Sequence, residues 1–174
     1  QKWDAFVAAA ADAGIAPSDE DARISDIQTV FALSDFVAKT CARQPDLLTC
    51  LLESGDLERP YESDEYNHRV ESALALTTGE SDLSVVLRRL RKREMVRIAW
   101  RDLSGRADLA ETLAELSAFA DACTDGALSR LHGWLERACG RPLRSDGTRQ
   151  EMTVIGMGKL GARELNFSSD VDLI

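Results

Sequence analysis

What the chain lacks narrows its chemistry first. Its four cysteines, Cys41, Cys50, Cys123 and Cys139, form no C-x-x-C pair, and its two histidines, His68 and His132, form no ligand doublet. Structural zinc sites are built from such closely spaced pairs, so the sequence offers no zinc centre. Thiols without a pairing framework read as reduced cysteines, buried or half-buried, in a cytoplasmic protein. Basic residues are outnumbered: 21 Lys+Arg against 30 Asp+Glu give a formal charge of -9. A general nucleic-acid surface needs positive potential to gather phosphates, so no nucleic-acid partner is expected, although a local basic groove stays open. No run approaches the roughly 20 apolar residues of a membrane helix. No charged leader with an apolar run and cleavage site opens the chain, and no membrane partner is expected. Internal repeats and low-complexity tracts are missing too. The chain begins with Gln1 rather than Met and stops at Ile174 inside an expected strand, which reads as a piece of a longer polypeptide.

What is present is material for a helical core. Hydrophobic residues make up 44% of the 174 residues, enough for one domain or one plus a fragment. Helical patterns run from Trp3 to Ala13, closed by Gly14, and from Ser25 or Asp26 to Cys41, with Ile27, Val30, Phe31, Leu33 and Val37 at helical spacing. Ile15 to Arg23 reads as a loop. Pro45 opens the next helix and Gly55 stops it. Leu57 to Asp64 is a polar connector, followed by a helix from about Asp64 to Leu76 and a break at Gly79. Ser81 or Asp82 caps a long helix over Leu83–Leu103. Another helical stretch spans Asp108 to Ala138, with an expected break near Thr124–Gly126. A linker rich in glycine, proline and serine, Gly140 to Gly147, precedes a shift from helical to strand-like periodicity. The expected organisation is mainly α: a helical domain over 1–148, then the incomplete start of a mixed α/β domain over 149–174.

The long helix carries Arg89, Arg93, Arg97 and Arg101 at every fourth position, opposite an apolar side. Such a row meets an acidic partner or a nucleotide, or it is a solvated face whose ion pairs contribute little. The solvated face is the commoner arrangement and is the expectation here. Trp100 and Trp134 are assigned to core packing.

The most informative stretch is the last, Met152 to Ile174. Met152–Ile155 reads as a short buried strand, and it enters a turn with Gly156, Gly158 and Gly161 that contains Lys159. Asp170 and Asp172 follow, two apart among apolar residues. Strand alternation puts side chains two apart on one face, so both carboxylates would address one place, at a spacing suited to a shared divalent cation. An isolated D-x-D is most often the wet face of an edge strand; the glycine–lysine turn upstream and Ser168–Ser169 reverse that expectation. G-M-G-K-L-G also fits the dinucleotide fingerprint G-x-G-x-x-G. However, Asn166–Ser169 breaks the following helix early, and the acids arrive sooner than a ribose-binding acid should. An ATP-binding P-loop is excluded because Leu160 stands where a Ser or Thr is required after the lysine. In this setting Lys159 reads as a phosphate contact. Ser169 is a phosphate or ribose contact, or equally a strand-opening residue whose hydroxyl satisfies its own backbone.

The string G-x-G-K-L-G-x-x-E-L-N-x-S-S-D-x-D-L-I resembles the signature of the glutamine-synthetase adenylyltransferases, members of the DNA-polymerase-β-like nucleotidyltransferases. R-K-R-E-M-V-R-I-A-W-R-D-L, Arg91 to Leu103, resembles the same family. The resemblance implies a bifunctional enzyme that attaches AMP to, and removes it from, a tyrosine of glutamine synthetase. It implies Mg2+ held by Asp170 and Asp172, with Gly156, Gly158, Lys159, Gly161 and Ser169 engaging phosphate or nucleotide. It further implies ATP, ADP and phosphate as small-molecule partners and a PII-type nitrogen-signal protein as a regulator. Glu164-Leu165-Asn166 and the position near the chain start favour the de-adenylylating copy of the catalytic unit; the adenylylating copy uses the same parts. The family's third carboxylate lies on a later strand, so this chain alone is expected to be inactive. The rival from another class is a non-catalytic helical interaction module whose last segment only completes a fold.

Overall fold

The computed structural model describes residues 1–15 and 21–174, without the side chains of 21 and 22. The loop expected over Ile15–Arg23 therefore lies partly outside the described residues. Eight helices are present among them: α1 (Lys2–Asp12), α2 (Asp21–Leu33), α3 (Asp35–Arg43), α4 (Pro45–Ser54), α5 (Glu65–Leu74), α6 (Glu80–Leu103), α7 (Leu109–Cys139) and the single turn α8 (Gly158–Gly161). The chain is mainly α, as its periodicity indicated. It divides into two compact units, Gln1–Tyr61 with Arg91–Thr112, and Glu62–Leu90 with Leu113–Ile174.

The first unit is built on the apolar stripes of α1 to α4. Phe6, Val30, Phe31, Val37, Leu48 and Trp100 are among its buried side chains, and Phe6 meets Phe31 edge-on at 5.6 Å. The amphipathic run expected to continue to Cys41 is split at Ser34. That serine has extended backbone and its Oγ accepts from the Val37 amide at 3.2 Å, so it caps α3 rather than extending α2. Lys2 donates to the Phe31 carbonyl at 2.7 Å, which satisfies one of the last orphan carbonyls of α2. None of the four cysteines forms a disulfide: Cys41 is buried, Cys123 half-buried and Cys50 and Cys139 exposed, so the expectation of burial holds for only part of the set. Burial pushes the Cys41 thiol up to about 12.

The arginine row departs most from expectation. Arg97 and Arg101 are 0% and 1% exposed rather than solvated. The helix turns them onto the connector after α4, whose Asp56 is itself 1% exposed. Arg97 donates through Nε to the Asp56 carbonyl at 2.9 Å and through Nη2 to the Arg59 carbonyl at 2.8 Å. Its guanidinium also lies 3.4 Å from the centre of the Tyr61 ring. Arg101 donates to the Leu57 carbonyl and pairs with Glu111. Arg93 pairs with the Asp56 and Glu94 carboxylates and donates to the Tyr61 hydroxyl. Burial alone would lower the Arg93 pKa; Glu94, Tyr61 and Asp56 outweigh it and raise the value. Four-residue spacing is the same for a wet stripe and a buried one, and only the partner loop decides between them. This loop has irregular backbone whose carbonyls need donors, and arginine forks supply them.

The second unit packs α5 against α7. Tyr66, Val70, Leu74, Leu116 and Phe119 are buried there, and Tyr66 and Phe119 rings lie 5.6 Å apart. The break expected near Thr124–Gly126 does not occur, and α7 runs on to Cys139. Gly126 serves close approach instead: a Cβ on it would lie 2.6 Å from Val70 Cγ1 and 3.1 Å from Leu74 Cδ1. The ordinary cost of glycine inside a helix is offset by bringing α5 this near. Arg130 donates to the Thr77 and Ala75 carbonyls at 2.6 and 3.2 Å, beyond the end of α5. The segment after α7 is not a plain linker but a small hairpin. Leu143 pairs with Arg149, Gln150 N donates to Pro142 O at 3.0 Å, and Arg144 N to Thr148 O at 2.8 Å.

No regular strand forms among the described residues. Met152–Ile155, expected as a buried strand, has Met152 66% and Ile155 56% exposed. The physical reason is that an extended segment becomes a strand only with partners on its edges and a packed face. Here it has a single bridging neighbour, Gly156 with Leu173, and a lone two-stranded pair is marginal. No described helix is long and apolar enough to cross a membrane.

Candidate functional site

The final segment folds back on the glycine turn. Ile155 N donates to Ile174 O at 2.7 Å, Ile174 N to Ile155 O at 3.0 Å, and Met157 N to Asp172 O at 2.9 Å. These antiparallel bonds fix the acid-bearing residues beside the start of α8. They bring Asp172 directly against the turn, with Asp170 two residues before it. Both aspartates are exposed, and among the described residues neither carboxylate takes part in an ion pair. Their oxygens are therefore available to a cation.

The turn itself is tightly drawn. A Cβ on Gly161 would lie 2.5 Å from the Gly156 carbonyl oxygen, a contact no alanine tolerates without moving the backbone. Gly158 opens α8 and Lys159, next to it, is exposed. The helix after the glycines is one turn long, whereas a dinucleotide-binding unit needs a helix of several turns.

Two polar contacts fasten this segment to α7, and two of its leucines, Leu160 and Leu165, are buried. The Leu165 amide donates to Ser117 Oγ at 3.2 Å, and that hydroxyl donates onward to the Leu113 carbonyl at 2.8 Å. Arg163 pairs with Asp121 at 2.9 Å. Arg163 has φ 59, a left-handed conformation usual for the residue after a helix end but uncommon for a side chain of this size. A cavity of about 440 Å³ lies in this unit, lined by Asp64, Asp121 and Asp125 with Gly156, Leu160 and Arg163. Three carboxylates against one arginine make it unsuited to phosphate.

Between Leu165 and Asp170 the chain is held by one side chain. Asn166 Oδ1 accepts from the Ser168 amide at 3.1 Å, from the Ser168 hydroxyl at 3.0 Å and from the Ser169 hydroxyl at 2.9 Å. Ser169 Oγ in turn accepts from the Asn166 amide at 3.2 Å. The Ser169 hydroxyl is thus engaged with its own loop, the second of its two sequence readings, and a ligand contact would require it to trade Asn166 for the ligand. Sequence reasoning missed Ser117, Asp121 and the clamping part played by Asn166. Only the Asn-x-Ser-Ser order, an Asx-turn pattern, carried a local signal; the contacts to α7 are tertiary and leave none.

Residues 24–174 match the family model described as glutamate-ammonia ligase adenylyltransferase. The chain belongs to that family. Relatives named bifunctional glutamine synthetase adenylyltransferase/adenylyl-removing enzyme agree. The one from Nitrosococcus oceani is 53% identical over 146 residues, covering 83% of this chain and 15% of the relative. That from Thioalkalivibrio sulfidiphilus is 50% identical over 145 residues, with coverage of 83% and 15%. That from Pseudomonas aeruginosa is 47% identical over 153 residues, with coverage of 87% and 16%. The chain thus spans roughly a sixth of the length of these adenylyltransferase relatives. The matched residues take in both the glycine turn with its acid pair and the arginine row of α6.

Proposed function

We propose that this chain supplies the metal- and nucleotide-binding start of an AMP-transferring unit acting on glutamine synthetase, in the AMP-removing direction. Residues 149–174 are, on this reading, the opening of the nucleotidyltransferase domain and 1–148 its helical companion. The observation that carries the proposal is the backbone pairing of Met157 with Asp172, which sets the acid pair against the glycine turn. Two exposed carboxylates fit Mg2+: it favours oxygen donors, is commonly held by one or two carboxylates, and fills its remaining positions with water and phosphate oxygens. Bound there, the ion neutralises phosphate charge as the transfer proceeds.

The chain's own residues do the rest. Asp170 and Asp172 hold the cation, Gly156, Gly158 and Gly161 allow phosphate to approach the backbone, and Lys159 meets its charge. Ser169 engages phosphate or nucleotide by turning its hydroxyl proton from Asn166 Oδ1 to the ligand, which leaves both Ser168 bonds to Asn166 in place. A phosphate oxygen attacks the AMP phosphorus, the bond from phosphorus to the tyrosyl oxygen breaks, and the tyrosine leaves and regains its proton, giving ADP. Asn166 in the Glu164-Leu165-Asn166 run supports removal rather than addition of AMP. The partners are glutamine synthetase as protein substrate, a PII-type signal protein as regulator, and ATP, ADP and phosphate, in the cytoplasm.

The direction is tested in a polypeptide of the relatives' length that carries this segment, with its second catalytic copy silenced. Incubated with adenylylated glutamine synthetase, Mg2+ and phosphate, it should release ADP at a rate that depends on phosphate. AMP incorporation from ATP without phosphate-dependent release would assign the segment to the adenylylating copy.

A further inference from the structure

Resting on the AMP-transfer reading above, we propose that Asn166 is a positioning residue of that site, clamping the Ser168–Ser169 loop so that Asp170 and Asp172 share one cation. A metal held by two side chains needs both within a few tenths of an ångström of the productive geometry. Asp172 is fixed by the bond from Met157 N. No backbone bond to a neighbouring segment holds residues 166–170 among the described residues, so Asp170 is fixed by the turn's own bonds, side-chain bonds to Asn166 among them. Asn166 Oδ1 gathers three donors, and Ser169 N also donates to the Asn166 carbonyl at 3.1 Å. Asn166 Oδ1 is fully engaged within the loop, and on this proposal its contribution runs through that loop.

The clamp is anchored one residue upstream. Leu165 is buried and its amide is accepted by Ser117 Oγ, a side chain fully enclosed on α7. The route from helix core to acid pair is therefore continuous: Leu113 carbonyl, Ser117 hydroxyl, Leu165 amide, Asn166 amide oxygen, Ser169, Asp170. Aspartate at position 166 keeps an acceptor oxygen in the same place and supports the same turn. Alanine removes it.

The test compares N166A, N166D and D170N in the polypeptide of the relatives' length, with AMP removal measured across Mg2+ concentrations. N166A should raise the Mg2+ concentration for half-maximal rate about tenfold and lower kcat by about 10²-fold, the scale of an ångström of misplacement, while KM for adenylylated glutamine synthetase is unchanged. N166D should stay within about threefold of the parent in both measures, because the turn's acceptor is retained. Hydrogen exchange on this chain supplies a readout independent of activity: the Ser168 and Ser169 amides should exchange faster in N166A, with α7 unaltered. An N166A enzyme with the parental Mg2+ dependence and kcat, or an N166D enzyme as impaired as N166A, overturns the proposal. If D170N remains active, the AMP-transfer reading itself falls. If D170N is inactive and N166A behaves as the parent, only the positioning role falls.

Discussion

Asp170→Asn and Asp172→Asn, each made in a polypeptide of the relatives' length, should lower AMP removal on the order of 10³-fold or more, about 4 kcal/mol at 1.36 kcal/mol per decade. Asparagine preserves size and shape but removes the negative charge, so the substitution isolates electrostatics from packing. In a metal-assisted phosphoryl transfer little covalent work falls to the protein, and most of the rate comes from neutralising oxygens and holding attacking and leaving groups in line. Loss of one carboxylate removes a cation ligand and weakens both contributions. Folding should be untouched, because both aspartates are exposed and exposed substitutions usually stay within about 0.5 kcal/mol. Unaltered thermal unfolding with lost turnover is therefore the expected pair of results. Full turnover in both variants would favour the helical interaction module.

The second large effect lies far from the chemistry. Arg93→Ala should destabilise this chain by about 3 kcal/mol, read from urea unfolding, because it takes one cation from two buried carboxylates, of which Asp56 keeps Arg59 at 3.4 Å. Asp56 and Glu94 are the carboxylates concerned, both almost wholly enclosed. Against a total stability of about 5–15 kcal/mol for an ordinary domain, that is a large fraction. Arg89→Ala is the internal control: it belongs to the same four-residue row but is exposed, and should change stability by no more than about 0.5 kcal/mol. An equal effect from both would mean that the row acts by charge in solution rather than by its buried contacts.

That contrast shows what a sequence can and cannot carry. Pro45 and Gly55 marked the ends of α4 because each acts on its own backbone, through φ and the missing side chain. The apolar spacing of α5 and α6 was legible for the same local reason. The burial of Arg97 and Arg101 was not, since it depends on carbonyls of residues 56–59 more than thirty positions away, and neither was the pairing of Arg93 with the Asp56 carboxylate. Gly126 was misread because a glycine that breaks a helix and one that admits a neighbouring helix look alike until the neighbour is placed. In the candidate site, Asp170, Asp172 and the glycines stand out by spacing. The Asn166 clamp and its Ser117 anchor joined them only once the folded chain brought α7 under Leu165.

The helical part and the site are linked through that anchor. The Leu165 amide on Ser117 and the Arg163–Asp121 pair both tie the acid-bearing segment to one helix, so α7 is part of what holds the carboxylates in place.

The claim on which the account depends is that Asp170 and Asp172 share a divalent cation beside the glycine turn. Mn2+ added in small amounts to the isotopically labelled chain tests it, because a paramagnetic ion broadens the resonances of nuclei nearest to it. The account predicts selective broadening of amides 156–159 and 169–173, abolished in the D170N/D172N double variant. Broadening spread evenly over the acidic surface, which holds 30 Asp+Glu in all, or an unchanged pattern in the double variant, would contradict it.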